Sequence, residues 1–273
     1  MHPLIRKTSI LLLALSLTAC DVLPGLQYPE LTLRPQYHAL KLRGDSSVQT
    51  GVTGGAPVDN PSVDLENLGV RRRDDDVGGT LAYGDGFSGL ELSFLQVDLG
   101  STERGTTPNA YGNLATGARV SSEFFMDEYR LSYIARLFEH ETDDELKFRI
   151  GAGPLIAHRD ASFTSVDDDS GAFQTTRFRD RGVPYIATRA RFDYRGASLQ
   201  VDWAYSDFDF GGDFDGPLHD TAITGTYALE DQDLTFSVGY RWVDLRASGV
   251  EDGLGFEHDL ILEGVVLGIE FRF

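Results

Sequence analysis

The sequence predicts an all-β fold, an antiparallel up-and-down transmembrane β-barrel of ten strands. Three observations predict it. Apolar and polar residues alternate with a period of two in segment after segment. Short and long connections between those segments alternate along the whole chain. The last segment ends in an aromatic residue, Phe273.

The alternation is strictest over 234–242, where Leu234, Phe236, Val238, Tyr240 and Trp242 share one face and Thr235, Ser237, Gly239 and Arg241 the other. Only an extended strand puts alternate residues on one face. Further stretches repeat it. Leu199, Val201, Trp203 and Tyr205 oppose Ser198, Gln200, Asp202 and Ala204. Tyr129, Leu131, Tyr133, Ala135 and Leu137 oppose Glu128, Arg130, Ser132 and Arg136. In the closing segment Ile261, Val265, Leu267, Ile269, Phe271 and Phe273 share one face, interrupted by Glu263. Ten strands are expected at 29–42, 77–84, 87–99, 119–138, 145–161, 174–194, 197–208, 218–229, 233–247 and 257–273. Several reach the nine to eleven residues that a tilted membrane strand needs. The first two are the weakest, interrupted by Pro35 and opened by Gly78-Gly79, and eight strands result if both are loop.

Short turns are expected at 84–86, 140–144, 195–196 and 230–233, and longer polar stretches at 43–76, 100–118, 162–173, 209–217 and 248–256. Tight periplasmic turns and longer outside loops are the asymmetry of an outer-membrane barrel. With ten strands both termini fall on the periplasmic side.

The N-terminus reads as an export signal. Arg6 and Lys7 precede the apolar run 10–17, which is too short for a membrane-spanning helix. It leads into Leu17-Thr18-Ala19-Cys20, which resembles the cleavage site of a lipoprotein, with Cys20 as the acylated residue. Cys20 is the only cysteine of the chain, and a lone cysteine in an exported protein calls for a role such as attachment. The expected organisation is therefore a signal peptide at 1–19, a lipidated linker at 20–28 and a barrel domain at 29–273.

Net charge is −19, and −21 once Arg6 and Lys7 leave with the signal. Nucleic acid is excluded as a partner on that ground. The expected inner faces carry Arg34, Arg130, Arg136, Lys147, Arg149, Arg189, Arg191, Arg241 and Arg272 against Glu91, Glu128, Asp193, Asp202 and Glu270. A basic lumen in an acidic chain places the acidity in connections such as Asp74-Asp75-Asp76, Asp167-Asp168-Asp169 and 207–215. The luminal charges suit either a salt-bridged plug or a narrow anion-favouring pore, and the plug is preferred for so small a ring.

The ending Ile269-Glu270-Phe271-Arg272-Phe273 resembles the C-terminal signal that the barrel-assembly machinery reads, with Ile269, Phe271 and Phe273 as its apolar positions. The mature chain resembles the small outer-membrane barrels of the OmpA-type superfamily. Val63-Asp64-Leu65-Glu66-Asn67-Leu68-Gly69 is similar to a segment of uncharacterised members of that class. The resemblance implies a Gram-negative outer-membrane location, with lipid and lipopolysaccharide around a monomeric barrel.

Catalytic pairings are weak. His219-Asp220 near Asp213 and Asp215 resembles the Asp and His at the mouth of omptin proteases, but adjacent strand residues point to opposite faces. His158 with Ser162 resembles a hydroxyl–imidazole pair only in position, and His38 is expected among luminal arginines. The acids of 207–216 suit Ca²⁺ chemically but not in EF-hand spacing. No enzyme activity, metal or cofactor is expected. The expected role is structural or surface-interacting; an anion-favouring pore is the alternative, and a barrel-mouth hydrolase a third.

Overall fold

The computed structural model describes residues 29–273 except 52–54, 71–73, 101–102, 144, 181, 209–211, 215 and 230–232. Cys20 and the expected signal peptide and linker lie outside the described residues. Thirteen strands form one antiparallel sheet. In chain order they are β1 (Glu30–Val48), β2 (Val63–Asp64), β3 (Asp74–Gly84), β4 (Gly89–Gly100), β5 (Gly105–Thr106), β6 (Arg119–Glu141), β7 (Lys147–Asp167), β8 (Phe173–Arg179), β9 (Val183–Tyr194), β10 (Ala197–Ser206), β11 (Leu218–Leu229), β12 (Leu234–Glu251) and β13 (Leu254–Arg272).

Ten of them close a ring. β1 pairs with β3, then β4, β6, β7, β9, β10, β11, β12 and β13 follow, and β13 returns to β1 from Thr32↔Arg272 to Val48↔Phe256. β1 and β3 are true ring members, so the eight-stranded alternative does not hold. β2, β5 and β8 are short additions along β1, β6 and β7. The expected short turns coincide with four breaks between ring strands, all at one rim. The first described residues and the C-terminal Phe273 meet at that rim, where Leu31 N–H donates to Phe273 O and Phe273 N–H to Leu31 O.

The turn chemistry is legible. Arg195-Gly196 joins β9 to β10 with φ of 46° and 79°, and Asp252-Gly253 joins β12 to β13 with 53° and 79°. Positive φ at both central positions is what a two-residue hairpin turn with the sheet's own twist requires. The second turn corrects an expectation: 248–256 is not a long loop but two strands running on into a tight turn. Likewise 43–48 and 162–167 are strand, not loop.

The inner and outer faces exchange character halfway along the strands. On β1 the outward residues are Leu31, Leu33, Pro35, Tyr37 and Ala39 and then Lys41, Arg43, Asp45 and Ser47. The inward ones are Thr32, Arg34, Gln36 and His38 and then Leu40, Leu42, Gly44, Ser46 and Val48. β12 repeats the exchange: outward Phe236, Val238, Tyr240 and Trp242 give way to Asp244 and Arg246, while inward Ser237, Gly239 and Arg241 give way to Val243, Leu245 and Ala247. β6 switches at Asp127/Glu128 and β7 after Ile156. The turn-side half thus has an apolar wall about nine residues tall around a polar lumen. The far half has a polar wall around an apolar core.

That core makes the far half a head. Leu40, Leu42, Leu99, Phe124, Met126, Phe163, Phe178, Leu245, Phe256 and Leu260 meet inside it, all buried. The connection after β1 folds back over it: Val63, Leu65, Leu68 and Val70 are buried, and Asn67 O accepts from Thr106 N–H at 2.6 Å. The segment 63–69 is therefore the cover of the head. Tyr111 and Leu114 of the next long connection are buried beside it.

Candidate functional site

Among the described residues, buried charge concentrates in the turn-side lumen. Its top layer lies directly under the head. Glu128 on β6 and Arg159 on β7 are opposite each other in register, with Nε–Oε2 at 2.7 Å and both side chains 1% exposed. Glu128 Oε1 also accepts from Arg241 Nη2 at 2.6 Å, and Arg241 forks onto Asp220 at 2.7 and 3.1 Å. Asp220 takes Arg130 Nη1 as well, at 3.0 Å, and Arg159 Nη1 donates to Tyr185 Oη at 2.5 Å. Two carboxylates thus serve three guanidinia, an arrangement tolerable in an interior only because each oxygen is matched.

The middle layer is centred on Arg189. It makes a bidentate pair with Glu91, at 2.7 and 2.9 Å, and a further bond to Asp202 at 2.6 Å. Near the rim Arg149 and Arg191 share Asp193, at 2.6 and 2.7 Å, and Arg34 and Arg272 share Glu270. The inward acid Asp76 accepts from Asp98 N–H at 2.9 Å. Counting these, eight guanidinia (34, 130, 149, 159, 189, 191, 241 and 272) face seven carboxylates (76, 91, 128, 193, 202, 220 and 270).

The rim end is corked by the β3–β4 turn. Phe87 is buried beneath the lumen with the Arg149 guanidinium 4.9 Å from its ring centroid. Arg189 donates to Phe87 O at 3.0 Å and Arg191 to Gly86 O at 2.8 Å, so luminal arginines hold the turn in place. Between cork and head a cavity of about 150 Å³ remains, lined among others by Arg34, His38, Glu91, Glu128, Arg130 and Asp220.

Most of the expected luminal charges meet in this network. Arg136 is an exception: it sits at the rim, bonded to Asp85 and to Glu139 at 2.6 Å, because a bulge between Arg136 and Phe138 ends the regular inward alternation. Lys147 is at the same rim, 3.0 Å from Glu139. Sequence reasoning missed Asp76, Asp220, Arg159 and Tyr185: 74–76, expected in an acidic connection, is the start of β3, and Asp76 pairs in register with the inward His38. Asp220 was masked by its neighbour His219, and Arg159 by the small residues Ala157 and Ala161 that flank it on the inner face.

Among the described residues the candidate histidines 38, 158 and 219 lie apart from one another. His219 faces outward against Trp203 and Tyr205, on the opposite side of β11 from Asp220. His158 also faces outward, its Nδ1 2.9 Å from Asp180 Oδ1, and that oxygen accepts from the backbone N–H of Arg159 and Gly182. Among the described residues no hydrogen bond joins His158 to Ser162. In the head, His258 is enclosed by Phe163, Phe178 and Phe256 and bonded to Ser46 Oγ at 2.7 Å and Thr176 Oγ1 at 2.8 Å. Burial drives its pKa down to about 3, and burial raises that of Tyr111, whose hydroxyl meets Ser46 at 2.6 Å.

On the outer wall, Ile269, Phe271 and Phe273 project from the last strand and are 39%, 39% and 76% exposed. Glu263, also outward, is held by Lys41 at 2.9 Å and Arg43 at 3.3 Å where the apolar wall ends.

No family model matches the sequence, and no curated protein matches it. Solved structures do. The chain is similar to the outer-membrane protease OmpT of Escherichia coli, with a TM-score of 0.56 and 13% identity over 89% of this chain and 97% of that one. A Pseudomonas aeruginosa FadL homologue matches at a TM-score of 0.34 and 9% identity, covering 90% of each chain, and the toluene transporter TodX of P. putida at 0.33 and 8%, covering 89% and 90%. At this identity the likeness to OmpT concerns the fold alone, an all-β antiparallel sheet whose ten long strands close a ring.

Proposed function

We propose that the chain is an outer-membrane β-barrel of the Gram-negative type, with a sealed lumen and a folded head that stands outside the membrane as a surface-interaction module. The observation that carries this reading is the exchange of inner and outer character halfway along β1, β6, β7 and β12. A wall of alternate apolar residues nine positions long matches the span of a tilted strand through hydrocarbon. Trp203, Tyr205, Tyr240 and Trp242 sit at its upper edge, where aromatic side chains favour the membrane–water boundary. Above that edge the wall turns polar and the interior becomes a hydrophobic core, as in a protein surrounded by water.

The same exchange argues against a conduit. A path through the ring would have to cross the packed side chains of the head and the Phe87 cork. The scattered histidines favour a non-catalytic role. On this reading both termini are periplasmic, Cys20 carries the lipid, and Phe273 ends the assembly signal. The monomer meets lipid and lipopolysaccharide through its wall, and no cofactor is needed.

The test is accessibility on intact cells. Single cysteines at Glu257 in the head wall and Leu267 in the apolar wall are exposed to a membrane-impermeant maleimide. Glu257→Cys is expected to label and Leu267→Cys to stay at the background of the unsubstituted chain. Labelling of both at equal rates excludes the proposed membrane boundary.

A further inference from the structure

His38 enters the luminal cavity from β1 just beneath the head. It is 3% exposed, and neither ring nitrogen has a protein partner. The position is prepared for it: a Cβ on Gly78 of the adjacent β3 would stand 2.9 Å from His38 Nε2, so the glycine leaves room for the ring. Arg130 lines the same cavity. Its Nη1 pairs with Asp220, but its Nε is buried without a partner. Buried donors left unmatched are few in folded proteins, and each calls for an explanation.

The charge balance supplies one. Among the described side chains the luminal network holds eight guanidinia against seven carboxylates, one positive charge in excess. The nearest carboxylates, Glu128 and Asp220, are already shared among Arg130, Arg159 and Arg241 and have little capacity left for Arg130 Nε. A volume of about 150 Å³ admits a small ion with several waters. We infer that the lumen is a binding site for a small monovalent anion, of halide or nitrate size, held by the Arg130 guanidinium and a ring N–H of His38. The ion completes the charge layer beneath the head and serves as a structural counter-ion. This inference rests on the sealed-lumen reading above.

The test uses the full chain folded in detergent micelles. Thermal unfolding is followed as sodium bromide or nitrate replaces sodium gluconate at constant ionic strength, and crystals soaked in bromide are measured for anomalous scattering. The expected result is a saturable rise in Tm with bromide and nitrate. Half of that rise should need at least tenfold more bromide in His38→Leu, and the rise should be absent in Arg130→Gln. An anomalous peak should lie within hydrogen-bond reach of His38 and Arg130. If Arg130→Gln does not fold, His38→Leu and the bromide peak decide. A Tm indifferent to the anion, an equal shift in a folded Arg130→Gln protein, or no peak in the lumen overturns the inference. Failure of the underlying reading looks different: stepwise currents across a bilayer show an open lumen whether or not a shift and peak are found, and a silent protein without shift or peak refutes the site alone.

Discussion

Arg159 and Glu128 face each other across the β6–β7 ladder with Nε and Oε2 2.7 Å apart, and both are shut off from solvent. They form the boundary between the charged lumen and the apolar head, and Arg241 and Asp220 complete the layer.

A buried pair of this kind is costly to break from one side. Glu128→Leu leaves Arg159 and Arg241 without their shared carboxylate and is expected to destabilise the fold by about 3–5 kcal/mol, whereas the double variant Glu128→Leu/Arg159→Met is expected to recover part of that loss. Denaturant unfolding in lipid bilayers measures both, and an unaltered midpoint in Glu128→Leu contradicts the assignment.

The closing seam between β13 and β1 depends on Gly264. A Cβ there would fall 2.1 Å from the backbone oxygen of Ala39, so Gly264→Ala must push the two strands apart. The barrel can no longer close in register. The expected outcome is loss of the fast-migrating unboiled band on a gel; a band that shifts on boiling as in the parent chain refutes the tightness of the seam.

His258 gives the head a definite response to acid. With its folded pKa near 3 and an unfolded value of about 6.5, the unfolded chain binds the extra proton first. Stability is therefore complete above pH 6.5 and falls progressively as the pH drops towards 3, by up to about 1.4 kcal/mol per unit. Comparing His258→Gln with the parent isolates this term from the titrating carboxylates. The parent should lose roughly 1–2 kcal/mol more than the variant between pH 7.5 and 5, and equal losses would exclude the buried neutral imidazole.

Much of this architecture was legible in the sequence. Each of the ten ring strands was visible because period two survives even where the faces exchange: Leu40 and Leu42 against Lys41 and Arg43 alternate as clearly as Leu31 and Leu33 against Thr32 and Arg34. The exchange itself was hidden, since alternation alone does not say which face is inside. Glu263 read as an interruption of an apolar face; in the structure it marks the height at which that face turns polar. The Asp252-Gly253 turn carried a known hairpin signal but was absorbed into a polar stretch. Most luminal arginines were readable from parity, whereas the pairing of Arg159 with Glu128 required the register of β6 and β7.

At the same height outside the ring, Lys41 and Arg43 clamp Glu263, whose side chain is only 5% exposed. Replacing both bases by Met leaves the carboxylate against apolar wall and is expected to cost about 1–3 kcal/mol, restored in large part by adding Glu263→Gln. Unfolding midpoints of the two variants check this; a further loss on adding Glu263→Gln runs against it.

The central claim is that the head seals the barrel, and single-channel recording in planar lipid bilayers tests it most directly. The packed core above Arg159 and Glu128 predicts a silent membrane after insertion of the full chain. Stepwise, anion-selective currents that appear only with folded protein would contradict it.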